Sequence, residues 1–286
     1  MRYRQTFLVK PGRRLSLKDT DPSYKGRHES KESAKDEIEK YRQHLSKMQS
    51  LLYAERKRSL LIVLQAMDAG GKDGTINHVM SAWNVQGARV TGFKQPTPEE
   101  AAHDFLWRVH LHAPARGEIA IFNRSHYEDV LIVRVHGLIG KAACEARYES
   151  IRAFEEELAG NDTTILKFFL HIGKDEQLER FAERLDDPRR NWKISESDYA
   201  ERVHWNSYMA AYEDAIGATS TKRAPWFVIP ANHKWFRNLA VSQIIADTMD
   251  NLHMSYPKPS VDLTDIRRKY HAAAEEEKKE KKKRRG

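Results

Sequence analysis

Ser59-Leu60-Leu61-Ile62-Val63-Leu64-Gln65-Ala66 runs directly into Met67-Asp68-Ala69-Gly70-Gly71-Lys72-Asp73-Gly74-Thr75. The first part is a near-continuous apolar run, the pattern of a strand covered on both faces. The second is a glycine-rich turn with one lysine, and a helical stretch follows it to about Trp83. Glycines let backbone N–H groups converge on an anion, a helix N-terminus adds partial positive charge, and a lysine adds a full one. Gly70, Gly71, Lys72, Gly74 and Thr75 fill those roles, so the unit reads as a phosphate-binding loop. It departs from the strict pattern twice: Ala66 stands where the first glycine belongs, and Asp73 follows the lysine where Ser or Thr would hold magnesium. A loop that only cradles phosphate should avoid carboxylates. Asp68 and Asp73 make sense beside a divalent cation, a hard ion that takes oxygen ligands and bridges to phosphate. Asp73 also suits a helix cap, which leaves Asp68 as the metal-side residue.

Outward from this unit, strands and helices alternate. Strand candidates are Arg89 to Phe93, Glu118 to Phe122, Thr164 to Leu170 and Trp226 to Pro230. Helical patterns separate them at about Pro98 to Leu111, Tyr127 to His136, Ala142 to Leu158 and Asp175 to Leu185, with two more at Ser197 to Ile216 and His233 to Asn251. This predicts a parallel sheet between helices, a three-layer α/β/α fold. Ligands on such sheets bind beyond the carboxyl ends of the strands, which puts segments 67–75, 94–97, 123–129 and 171–174 on one rim. A helix from about Ser30 carries Ile38, Tyr41, Leu45, Met48 and Leu52 at three- and four-residue steps, one buried face directed within the chain or at another subunit.

The 286 residues suffice for one large α/β domain with a lid. The expected organisation is an N-terminal arm over 1–30, a domain carrying the phosphate-binding loop over 31–258 with its lid at about 180–200, and a charged tail over 259–286. No apolar run is long enough to cross a bilayer, and the patch Phe7 to Val9 is broken by charges, unlike a signal peptide. No membrane partner is expected, and a cytoplasmic protein is. The single cysteine, Cys144, excludes an internal disulfide and a multi-cysteine zinc site. A net charge of +8 favours polyanionic partners. Part of it lies in the run 275–285, which reads as a solvated end that does not pack.

The strand Ile119 to Phe122 ends in Asn123-Arg124-Ser125-His126-Tyr127-Glu128-Asp129. In enzymes with such loops an acid at this point orients magnesium; here the first position is Asn123, and the acids come later, at Glu128 and Asp129, where a helix dipole would also favour them. Arg124 is the stronger functional candidate, since a guanidinium grips phosphate through two parallel hydrogen bonds. Further on, Arg180, Arg184, Arg189, Arg190 and Lys193 crowd a short stretch broken by Pro188. Cations on a mobile segment can close over a polyanion and exclude water.

Three of these stretches together resemble the signatures of the polyphosphate kinase 2 family: 67–75, 122–130, and Arg190-Asn191-Trp192-Lys193 with Ser195 and Asp198. Ala224-Pro225-Trp226, Lys234 and Arg237 resemble its closing motif. The resemblance runs from roughly residue 30 to 255. It implies a P-loop kinase fold of the thymidylate-kinase type with a helical lid, dependence on Mg2+ (or Mn2+), and transfer of the terminal phosphoryl group between inorganic polyphosphate and AMP or ADP, with ATP as a product or donor. By position it makes Asp68, Lys72, Arg124 and Arg184 catalytic. Gly70, Gly71, Asp73, Gly74, Thr75, Asn123, Glu128, Arg190 and Lys193 become phosphate- or nucleotide-binding, and Asp68 with Asp129 the metal side. Asn123 and Glu128 stand where many ADP-specific members carry Asp and Asn; the version here looks like the subgroup that also accepts AMP. A homo-oligomer is expected from relatives, and nucleic acid is not expected as a partner. Two rivals are an ATP-dependent nucleotide kinase of the same fold and a basic nucleic-acid-binding module. The missing Ser or Thr after Lys72 counts against the first, and the acids at the strand ends count against the second.

Overall fold

The computed structural model describes residues 2–284. They fall into a body that ends at Met254 and a C-terminal unit that begins at Ser255. The body is built on five strands: β1 (Ser59–Gln65), β2 (Ala88–Gly92), β3 (Ile119–Asn123), β4 (Thr163–His171) and β5 (Trp226–Pro230). Its helices are α1 (Tyr3–Phe7), α2 (Lys31–Glu55), α3 (Lys72–Met80), α4 (Pro98–Ala101), α5 (Trp107–His110), α6 (Ile132–Val135), α7 (Lys141–Gly160), α8 (Lys174–Asp186), α9 (Glu196–Val203), α10 (Trp205–Thr219) and α11 (Lys234–Asp250). The C-terminal unit carries α12 (Leu263–Lys283).

All strand pairings are parallel, in the order β2-β3-β1-β4-β5. Every residue of β1 is buried, as its apolar run requires. Alternate residues of the strand feed two cores. Leu60, Ile62 and Leu64 pack with residues of α2, α3 and α11, whereas Leu61 and Val63 pack with residues of α7 and α10. Each such side chain removed from water contributes about 1.5–3 kcal/mol, so the two faces together fix the three-layer α/β/α arrangement and the strand register. This is an α/β P-loop kinase-like fold. The chain leaves β1 towards β2 on one side and later returns to β4 on the other. The loop after β1 therefore lies at a switch point, where the crevice beyond the strand ends opens.

The stripe on α2 is used within the chain: Leu45, Met48 and Leu52, with Ile38 and Tyr41, join the core that holds Leu239, Ala240 and Ile244 of α11. The N-terminal segment is tied into the same body. Tyr3 and Phe7 are buried against Phe236, and Val9 N donates to Trp226 O at 2.9 Å.

Three expected helices are interrupted. Residues 98–111 form α4 and α5 with a loop between, because the Asp104 side chain accepts from Leu106 N and starts a new turn. The stretch 127–136 begins as a 3-10 turn, His126–Val130, before α6. The stretch 197–216 breaks at His204 into α9 and α10. The charged end, expected as a solvated segment that does not pack, is helical along α12 and buries no residue. Its Ala, Glu and Lys content favours a helix without packing, Asp262 caps its start, and Asp265 pairs with Lys269 one turn on.

Candidate active site

The loop after β1 turns back on itself through Ala69 (φ +58°) and Gly71 (φ +99°), and α3 begins at Lys72. Glycine is favoured at position 71 on two counts. Its backbone is left-handed, and a Cβ there would run into Nη1 of Arg237. Lys72 folds back so that Nζ donates to Ala66 O at 2.9 Å, at the mouth of the turn. Burial lowers its ammonium below the ordinary lysine value, against the attraction of Asp68. On the far side, α8 takes up two loop carbonyls that would otherwise repel an anion. Gln177 Nε2 donates to Asp68 O (2.9 Å), and Arg180 Nη1 donates to Ala69 O (2.8 Å).

The loop opens into a cavity of about 980 Å3. Of the residues singled out in the sequence, Asp68, Gly70, Gly71, Lys72, Asp73, Gly74, Asn123, Arg124, Glu128, Arg184, Arg190 and Lys193 all line it. Nine lysine or arginine side chains face six carboxylates around its wall, so the cavity is built for an anion that brings more than one negative charge. Arg124 Nη2 lies 3.4 Å from Asp68 Oδ1, and Asn123 Nδ2 donates to Asp73 Oδ1 at 3.0 Å. Asp73 therefore braces the neighbouring strand end; Gly71, not Asp73, occupies the helix-cap position. Burial pushes the Glu128 carboxyl up, although Arg124 and Lys72 pull the other way.

The segment expected as a lid, about 180–200, takes in the end of α8, the 3-10 turn Asn191–Lys193 and the start of α9. Arg184 Nη1 donates to Lys193 O at 2.9 Å, and Asn191 Nδ2 closes the loop on Leu185 O at 2.8 Å. Arg190 and Lys234 both lie on Glu183, at 3.4 and 2.9 Å. All three are about half exposed, where such pairs are worth little, so both cations are free to turn to a ligand. Trp192 is 76% exposed at the cavity edge.

Two expectations fail. Thr75 does not face the cavity: it is fully buried, its hydroxyl donates to Gly71 O, and its neighbours Ile62, Leu64, Ile76 and Val79 are apolar. One helical turn after Gly71, that position points at the sheet. Asp129 does not reach the metal side either. Its Oδ2 lies 3.6 Å from Nη2 of Arg108, a buried residue that draws the carboxylate away from the loop. The 3-10 geometry of His126–Val130 explains the divergence, since it turns successive side chains by about 120° and separates Glu128 from Asp129.

Arg237, on α11, belongs to the closing motif read in the sequence but is not among the expected site residues. It lines the cavity, is only 3% exposed, and its guanidinium donates to Asn238 Oδ1 (Nη2 at 2.9 Å) rather than to a carboxylate. Burial and the nearby Arg180 push it down to about 9. Tyr208 and Tyr212 of α10 and Phe93 after β2 also line the site. Only the register of α10 and α11 on the sheet brings Tyr208, Tyr212 and Arg237 in, which short-range patterns do not reveal.

Among the described residues no group of three His, Cys, Asp or Glu is placed to hold a metal ion by protein ligands alone. Asp68, Asp73 and Glu128 nevertheless place hard oxygen donors in a cavity otherwise fitted for anions. That suits magnesium, which takes one or two carboxylates and completes its shell with water and phosphate oxygens.

A phosphate loop at a sheet's switch point, facing the cations Arg184, Arg190 and Lys193 across one cavity, defines a P-loop phosphotransferase. The chain belongs to the polyphosphate kinase 2 family, whose model matches residues 28–257. It is 51% identical over 254 residues to an AMP/ADP-polyphosphate phosphotransferase of Meiothermus ruber, covering 88% of this chain and 95% of that one. To an ADP-polyphosphate phosphotransferase of Rhodopseudomonas palustris it is 45% identical, covering 92% and 94%. The crystal structure of polyphosphate kinase 2 from Arthrobacter aurescens superposes with a TM-score of 0.92 at 42% identity, covering 95% of this chain and 97% of that one.

Proposed function

We propose that this enzyme transfers the terminal phosphoryl group of inorganic polyphosphate to AMP, ADP or both, reversibly. The observation that carries the reading is one cavity of about 980 Å3 with cations on three sides: Lys72 in the loop, Arg124 after β3, and Arg184, Arg190 and Lys193 in the lid. Its volume is at the upper end for small-molecule sites, which leaves room for a nucleotide and a phosphate chain together. Phe93, Ile132, Trp192, Tyr208 and Tyr212 add apolar and aromatic wall suited to a nucleobase.

A terminal phosphate oxygen of the nucleotide attacks the end phosphorus of the chain in line. The new P–O bond forms as the bond to the next phosphate breaks, and the shortened chain leaves with that electron pair. Lys72, Arg124 and the lid arginines neutralise the equatorial oxygens; such transfers need positioning and charge stabilisation more than covalent help. Bound magnesium, with Asp68 and Glu128 as its candidate ligands, would neutralise charge between donor and acceptor. Acceptance of AMP, suggested by Asn123 and Glu128, belongs to this proposal, as do a cytoplasmic location and assembly of several copies. The test is kinetic: ADP and AMP are offered separately with polyphosphate, and product nucleotide is measured without added ATP. Turnover only with ATP as donor would replace this reading with an ordinary nucleotide kinase.

A further inference from the structure

Arg124 sits at φ +62°, a left-handed backbone that a non-glycine residue adopts at a cost and keeps only when its surroundings hold it. One side of the segment is fixed by Arg124 N on Leu64 O (3.2 Å) and by Asn123 on Asp73. The other side is fixed by a buried polar cluster that no step above uses. Lys167, midway along β4 and fully buried, donates from Nζ to Glu155 Oε2 of α7 (2.5 Å), to the Tyr127 hydroxyl (2.9 Å) and to Thr219 O (2.8 Å). The Tyr127 hydroxyl lies 2.9 Å from both Glu155 Oε1 and Thr219 Oγ1, and His126 Nε2 lies 3.4 Å from the same Glu155 oxygen. Burial pushes the Glu155 carboxyl up, yet Lys167 and His126 bring it below its ordinary value.

A buried ion pair is a poor source of stability, because an apolar pair of equal volume does as well or better. What this one supplies is orientation. It grips His126 and Tyr127, two consecutive residues lying between Arg124 and Glu128, both of which line the cavity. We propose that Glu155, Lys167 and the Tyr127 hydroxyl are positioning residues that set Arg124 and Glu128 for phosphoryl transfer; this rests on the function proposed above.

Tyr127→Phe removes only the hydroxyl and leaves the ring against Trp226, 4.8 Å away. Its kcat should fall about tenfold or more, as small misplacements of transfer groups do, with nucleotide KM within about threefold. The double variant Glu155→Met, Lys167→Met should lose kcat similarly without a lower Tm. Thr163→Val is the control: it removes a buried hydroxyl pair with Ser59 (2.9 Å) at the far end of β4, and should lower Tm but not kcat. Binding of tripolyphosphate, followed by calorimetry, reads the segment without turnover, and Tyr127→Phe should weaken it as far as Arg124→Met does. Wild-type protein that binds tripolyphosphate but does not transfer would defeat the functional proposal and the transfer role with it, whereas weaker binding by Tyr127→Phe would still show that the cluster positions the segment. Tyr127→Phe and the double variant keeping both kcat and tripolyphosphate affinity within twofold of wild type would overturn it.

Discussion

Replacing Arg237 by methionine should make the ligand-free protein more stable and the enzyme weaker. The guanidinium is buried beside Arg180 with an asparagine as its partner, so in the free protein its charge is poorly compensated. A fall from 12.5 to about 9, at roughly 1.36 kcal/mol per unit, sets a ceiling on the order of 5 kcal/mol for that penalty. Relaxation reduces it, and apolar replacement of buried ionic groups typically recovers about 1–4 kcal/mol. Because this is a cation with a lowered folded value, the penalty is complete below about pH 9 and shrinks only above it. A measurement at pH 7 to 8 therefore sees all of it. For a body of this size, each kcal/mol moves Tm by about 2–4 °C, so R237M should melt several degrees higher. A bound polyanion reverses the sign: wild type should gain Tm on adding tripolyphosphate, while R237M gains little. Loss of a charge-assisted contact worth about 1.5–3 kcal/mol should also cost roughly ten- to hundredfold in apparent polyphosphate affinity. Scanning calorimetry with and without tripolyphosphate reads both effects. If R237M melts lower than wild type and keeps the full ligand shift, the anion-subsite reasoning is wrong.

Three further outcomes are expected. Lys72→Ala should abolish transfer while leaving circular dichroism and Tm near wild type; retained turnover would remove the loop from the mechanism. Burial lowers the Lys72 ammonium below its ordinary 10.5, so its charge is lost at a lower pH than that of a free lysine. The alkaline limb of kcat/KM should therefore fall below pH 10.5, and should move up in Lys72→Arg, if that variant retains activity. Gly71→Ala should reduce kcat/KM at least a hundredfold, because left-handed strain of about 1–2 kcal/mol adds to the displacement of Arg237; near-normal kinetics would show that the close approach is unimportant.

The β1 run and its glycine turn were legible because both depend on neighbouring residues: seven consecutive buried positions, then a turn rich in glycine. Lys72, Arg124 and the lid cations were legible for the same reason, lying in short stretches dense with charge. What escaped depended on register. Thr75 belongs to the loop in sequence, yet one helical turn carries it to the sheet side. Asp129 differs from Glu128 by one position and faces Arg108 instead of the cavity. Arg237 reaches the loop from α11, more than 160 residues later, because α11 packs across β1 and α3. The break between α4 and α5 reflects a capping interaction at Asp104, and α12 reflects intrinsic propensity; hydrophobic periodicity records neither.

Purified protein incubated with ADP, magnesium and long-chain polyphosphate, with no ATP added, gives the decisive readout when ATP is followed by luminescence. ATP should accumulate, stop on addition of EDTA, resume when excess magnesium is restored, and be absent with Lys72→Ala. Absence of any magnesium-dependent exchange between polyphosphate and adenine nucleotides, in protein shown to be folded, would contradict it.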